Sequence, residues 1–178
     1  MAEVLSTSQL HGKVIGALGV DVLTNSDPSN KPLDLHLRPP LPPLSRVYAY
    51  RATDPPGGRT PGEHKIQLMV PGQARDSRGS FDTSGGHFVF LLGYSAELNV
   101  FILWDAYRYP TFTFSRNVQV KAETVCHALT GEIGRQVRRI RGQGEEIALT
   151  AAPGQLKTAM NLRFDITIRE LSEGSRVP

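Results

Sequence analysis

The 178-residue chain has a single cysteine, Cys126. A lone thiol cannot make an internal disulfide, and with no second thiol nearby a structural zinc site is not expected. Cys126 is expected to be buried on a helix as a small apolar residue. Long hydrophobic runs are lacking too, since none approaches the roughly 18 residues needed to span a bilayer. The N-terminus, MAEVLSTSQLHGK, lacks the basic-then-apolar order of a signal peptide. A cytoplasmic protein with no membrane partner is the resulting expectation. Histidines are few and scattered: His11, His36, His64, His87 and His127 include no His-x-x-x-His pair and no nucleophile in a recognisable turn. Zinc catalysis and histidine-based nucleophilic catalysis are therefore not expected.

With 39% hydrophobic residues, no internal repeat and no dividing linker, residues 1–178 read as one domain with one core. The formal net charge is only +3, yet the pI is about 9.2, because arginine supplies much of the positive charge. That charge is unevenly spread. In GRQVRRIRG, residues 134–142, Arg135, Arg138, Arg139 and Arg141 stand without an intervening acid. Guanidinium groups grip phosphate oxygens through paired hydrogen bonds, so this segment is either a phosphate-contacting patch or a solvated basic loop or helix end.

The rest of the chain is organised around residues 87–121. Two apolar runs, 88–94 and 100–104, flank a five-residue polar link, which predicts a hairpin. Both runs are apolar on both faces, so the hairpin is expected to lie centrally in its sheet, covered on each side. Residues 8–18 carry Leu10, Val14, Ile15 and Leu18 at helical spacing. Residues 25–45 are proline-rich and are expected to form a surface connector that cannot be a central strand. Strands are predicted at 46–51, 63–70, 111–114, 117–121, 145–150 and 162–171, and short helices at 122–129 and 153–161; residues 172–178 read as a frayed tail. The alternation of Leu162, Phe164, Ile166 and Ile168 with polar residues underlies the last strand. The fold class that follows is α+β, with a curved, largely antiparallel sheet and about three helices. Such a sheet can close partly into a barrel whose mouth holds a ligand.

The chemistry-bearing residues cluster where the central hairpin ends. Trp104, Asp105, Tyr107, Arg108, Tyr109, Arg116, Asn117 and Gln119 combine rings that stack on bases, cations that neutralise phosphates, and amides that pair with base edges. Lys65, Gln67, Arg75 and Arg78 could add to them from a neighbouring strand and loop. An aromatic recess beside Asp105 could take a flipped base, the carboxylate accepting from an exocyclic amine. This reading needs no cofactor and takes double-stranded DNA as its partner. A second reading is a Mg²⁺-dependent nuclease, which needs acidic metal ligands and a lysine near the attacking hydroxide. Asp105 with Gln119 and Lys121, or Asp54 with Glu63 and Lys65, approximate that set. A third is a domain that docks a protein partner through an apolar edge.

The runs HKIQLMVPGQ, FVFLLGYSAELNVFILWDA and SRNVQVKAETV resemble a methylase-associated domain of bacterial restriction endonucleases, often encoded beside DNA methyltransferases. The resemblance covers about residues 48–129. It implies a role in restriction or in recognising modified DNA, such as methylcytosine. In modification-dependent restriction proteins an N-terminal base-reading module precedes a separate nuclease domain. The resemblance therefore implies that this chain is the reading half of something longer, with a nuclease domain or a methyltransferase as partner.

Overall fold

The computed structural model describes residues 4–53 and 62–174. Helix α1, Thr7–Leu18, starts at a capping box in which Ser6 and Gln9 exchange side-chain and backbone hydrogen bonds. Leu10, Val14 and Leu18 form its buried stripe, joined by His11. The strands that follow are β1 (Val22–Asn25), β2 (Leu33–Leu37), β3 (Leu44–Arg51), β4 (Glu63–Leu68), β5 (Arg78–Gly79), β6 (Phe88–Ser95), β7 (Val100–Trp104), β8 (Phe112–Thr113) and β9 (Arg116–Lys121). Helix α2, Ala122–His127, runs into a short 3-10 turn that ends at Gly131, whose φ of 87° closes it in the left-handed region. Strands β10 (Gly134–Ile140) and β11 (Gly144–Ala151) form a hairpin, and helix α3, Leu156–Ser172, completes the described chain.

Seven strands form one open sheet in the order β1-β2-β3-β6-β7-β11-β10. All neighbouring pairs are antiparallel except β3 with β6. The expected α+β class holds; the sheet is not a closed barrel, because β1 and β10 stand at its two edges. A parallel pair needs a crossover rather than a tight turn. Here the crossover from β3 to β6 carries β4 across one face of the sheet, where it pairs with β9 in a two-stranded ribbon.

This arrangement explains the doubly apolar central hairpin. Every residue of β6 and β7 is buried. Phe88, Phe90, Leu92, Phe101 and Leu103 join the core beneath α1 and α3. Val89, Leu91, Ile102 and Trp104 join the second core, beneath the ribbon and α2. The molecule is thus three layers, helices, sheet and ribbon, each face of the sheet sealed by burial at roughly 1.5–3 kcal/mol per large apolar side chain.

Three expectations need correction. The proline-rich segment contains β2, with Leu33, Leu35 and Leu37 fully buried and paired to both β1 and β3. Its prolines flank the strand instead of interrupting it. The basic segment is β10, a strand and not a loop or helix end. The helix expected at 153–161 is present, after a 3-10 turn at Pro153–Gln155, but it runs on through 162–171, where a strand is expected, as the single helix α3. Its buried positions, Leu156, Ala159, Met160, Arg163, Ile166 and Thr167, recur at helical spacing, whereas Ile168 of the alternating set is 42% exposed. A loop is expected from composition at residues 53–62; its 54–61 part, including Asp54, and the tail at 175–178 lie outside the described residues.

Candidate nucleic-acid interface

The ribbon presents its polar residues on one side. Antiparallel pairing sets Glu63 opposite Lys121, Lys65 opposite Gln119 and Gln67 opposite Asn117, and cross-strand partners point to the same face. The intervening Ile66, Leu68, Val118 and Val120 are buried against the sheet. Gln67, Asn117, Gln119 and Lys121 are exposed, and Glu63 and Lys65 half-buried. Alternation, legible in the sequence, thus places Lys65, Gln67, Asn117 and Gln119 together as expected. Arg116 faces inward opposite Leu68, its guanidinium 5.1 Å from the centre of the Tyr109 ring. The indole Nε1 of Trp104 donates to the Gln119 carbonyl at 3.2 Å, fastening β9 to the sheet.

Arg75 and Arg78 lie exposed on the loop that leaves the ribbon. Arg78 is tied to Thr111, donating to its hydroxyl at 3.0 Å and its carbonyl at 3.1 Å. Gln73 closes this loop by accepting from Val70 N–H and donating to the Ser77 and Phe112 carbonyls.

The strand exit after β7 is less open than its composition suggests. Trp104, Asp105 and Tyr109 are fully buried and Arg108 is 8% exposed, so the Tyr109 ring is not the open stacking surface expected. Arg108 reaches Glu170 at 3.1 Å and the Gln143 carbonyl at 2.6 Å. Its Nε and Arg163 Nη2 lie 3.6 and 3.8 Å from the Asp105 carboxylate. On the other side of the exit, Glu146 accepts from the Asp105 N–H at 2.9 Å and from the Tyr109 hydroxyl at 2.9 Å, and pairs with Arg138 at 3.2 Å. Burial raises the Glu146 carboxyl against the pull of Arg138, and burial together with Glu146 raises the Tyr109 phenol. Trp104, Asp105 and Arg108 therefore belong to the interior, where they orient their neighbours.

An aromatic recess does exist beside this exit, with different walls. A half-open recess of about 340 Å³ is lined by Phe81, Tyr107, Tyr109, Ala106 and Pro110, with Ser80 and Thr83 alongside. That volume is within the range of small-ligand sites. Tyr107 and Tyr109 were legible candidates, whereas Phe81, Ser80 and Thr83 come from the Gly/Ser loop and carry no local signal. Phe81 is held in place by Tyr48 and Phe112, with ring centres 4.7 and 4.9 Å away. The loop's next residue, Asp82, is pinned by buried Arg46, which meets its carboxylate at 2.9 Å and that of Asp34 at 2.7 Å. The Asp34 hydrogen bond raises the already high pKa of Arg46.

In the basic hairpin, the acids that the linear segment lacks stand across the turn. Arg138 is opposite Glu146 and Arg139 opposite Glu145, while Arg135 faces Leu149. Arg135, Arg139 and Arg141 are exposed; Arg138 instead points to the ribbon side, donating to the Gln119 carbonyl. The mirrored order Arg138-Arg139 and Glu145-Glu146 around Gly142 and Gly144 is a signal that could have exposed both the hairpin and Glu146.

Of the nuclease groupings, Asp105 does not converge with Gln119 and Lys121, while in the other Glu63 and Lys65 share one face of β4 and Asp54 lies outside the described residues. Asp105 is buried among arginines, whereas Gln119 and Lys121 sit on the ribbon's outer face. Among the described residues no three His, Cys, Asp or Glu side chains are placed to hold a metal ion, and no helix is long and apolar enough to cross a membrane. Cys126 is on α2 as expected, but exposed.

Fold and site together define an α+β sheet domain that carries a polar two-stranded ribbon beside an aromatic recess. The chain belongs to the methylase-associated X1 family, whose model matches residues 44–160, from the start of β3 into α3. This membership links it to restriction–modification systems. No curated protein and no solved structure matches it.

Proposed function

We propose that the chain is a DNA-recognition domain of a bacterial restriction system, which lays the outer face of the β4–β9 ribbon into a groove of the duplex. The observation that carries this reading is the ribbon's composition. Lys65, Lys121, Gln67, Asn117 and Gln119 share one face with a single carboxylate, Glu63. A two-stranded ribbon fits the major groove, where Asn and Gln can pair with adenine and lysines with guanine or phosphate. Exposed Arg75, on the loop that leaves the ribbon, adds a phosphate contact; Arg135 and Arg139 alternate with Arg138 and lie on the other face of the sheet. The recess walled by Tyr107, Tyr109 and Phe81 is the place for a flipped base, a modified cytosine in the restriction setting.

The test is a fluorescence anisotropy titration at two salt concentrations. Matched duplexes carry unmodified, methylated or hydroxymethylated cytosine, and each titration is repeated with Mg²⁺. Lys65→Ala and Lys121→Ala are expected to weaken all duplexes alike and to reduce the salt slope by about 1 each. Asn117→Ala is expected to cost about 1–3 kcal/mol and to relax sequence preference. Absence of binding at low salt sinks the reading in favour of a protein-docking role. Cleavage with Mg²⁺ moves it to a nuclease.

A further inference from the structure

We infer that Glu146 is a positioning residue that couples the aromatic recess to the ribbon, so that what occupies one alters the hold of the other. The inference rests on the DNA-recognition reading and deepens it. Glu146 is 1% exposed, so it touches no ligand itself. Its carboxylate is nevertheless the point where three parts of the interface meet.

The first part is Tyr109, a wall of the recess, whose hydroxyl donates to Glu146 Oε2 at 2.9 Å. The second is the Asp105 N–H, which donates to Oε1 at 2.9 Å. Asp105 in turn accepts from the Tyr107 N–H at 3.0 Å, so the turn that carries the second tyrosine wall hangs from the same carboxylate. The third is Arg138, whose Nε lies 3.2 Å from Oε2 and whose other end donates to the carbonyl of Gln119, on the ribbon strand β9. Moving Tyr109 to admit a ring therefore disturbs the carboxylate that holds Arg138, and Arg138 holds the strand bearing Asn117, Gln119 and Lys121. A buried carboxylate with a neutral donor on Oε1 and a neutral and a charged donor on Oε2 has little slack, since losing any of the three leaves the group poorly solvated.

The test uses the full chain and two short duplexes, identical except that one carries a cytosine opposite an abasic site. An unpaired base costs less to extrude, so a recess that accepts it binds that duplex more tightly. Wild-type protein is expected to prefer it by about tenfold or more. Glu146→Gln, which keeps the shape and removes the charge, and Tyr109→Phe, which removes one hydroxyl, are each expected to lose most of that preference. The ratio between duplexes is the readout, so a uniform loss of affinity from general destabilisation cancels. Circular dichroism checks folding, and if Glu146→Gln does not fold, Tyr109→Phe decides. Wild-type preference kept in a folded variant overturns the coupling while leaving the DNA reading intact. Equal wild-type binding to both duplexes removes the recess and the coupling together, and no binding to either at low salt removes the DNA reading itself.

Discussion

Gly93 leaves no room for a side chain between sheet and ribbon. A Cβ on Gly93 would stand 2.8 Å from the Trp104 ring and 3.0 Å from Ile66 Cγ2, and both of those groups are buried. Gly93→Ala is expected to destabilise the protein by about 1–3 kcal/mol through overpacking, seen as a lower urea midpoint. His11 shows a different kind of constraint. It is fully buried on α1, with Nδ1 2.7 Å from the Pro28 carbonyl. The carbonyl can only accept, so Nδ1 carries the proton of a neutral ring. Burial pushes the His11 pKa below its ordinary 6.5; the Pro28 bond opposes this and Lys31 adds to it. The unfolded chain therefore binds the proton first as pH falls. His11 contributes its full stabilisation above pH 6.5 and loses it as pH drops from there toward the depressed folded value. Urea midpoints are expected to fall between pH 7 and 5 in the wild type, and to fall less steeply in His11→Asn.

At the scale of elements, α3 illustrates how a buried charge shapes a helix. Arg163 is 1% exposed, donates to the Ile147 carbonyl and to Thr167 Oγ1, and lies near Asp105. It occupies a buried helical position that a hydrophobic pattern does not anticipate, which is why the alternating residues 162–168 suggest a strand. Arg163→Ala is expected to cost about 3–5 kcal/mol, because it strips partners from buried acceptors, Asp105 among them. Arg163→Met, which keeps volume while removing the charge, tests whether packing or pairing dominates: if packing does, urea denaturation will show it nearly as stable as wild type. The ribbon is the opposite case. Its two strands alternate cleanly, and Lys65, Gln67, Asn117 and Gln119 could be assigned to a polar face from spacing alone. That the two strands pair with each other could not, because β4 and β9 are separated by the whole central hairpin.

Across the whole molecule, stability should be graded from the middle of the sheet outward. Strands β6 and β7 are buried on both faces and paired on both sides, whereas β1 is an edge strand with mostly exposed residues. Hydrogen exchange is expected to show amides of β6 and β7 opening only with global unfolding and those of β1 opening locally; equal protection in both would contradict this layering. The sequence by itself determined the class of the fold, the buried central hairpin with Trp104 at its end, and the polar face of β4. These follow from local apolar patterning, which is decisive where burial agrees with it and fails at 162–168, where alternating residues fold into α3. Only the tertiary structure decided that Asp105, Arg108 and Tyr109 turn inward, that Phe81 walls the recess, and that Glu146 stands opposite Arg138. Those facts depend on strand register and on pairings between segments distant along the chain. Burial of a charge also depends on where its counter-charge arrives, which no local window contains.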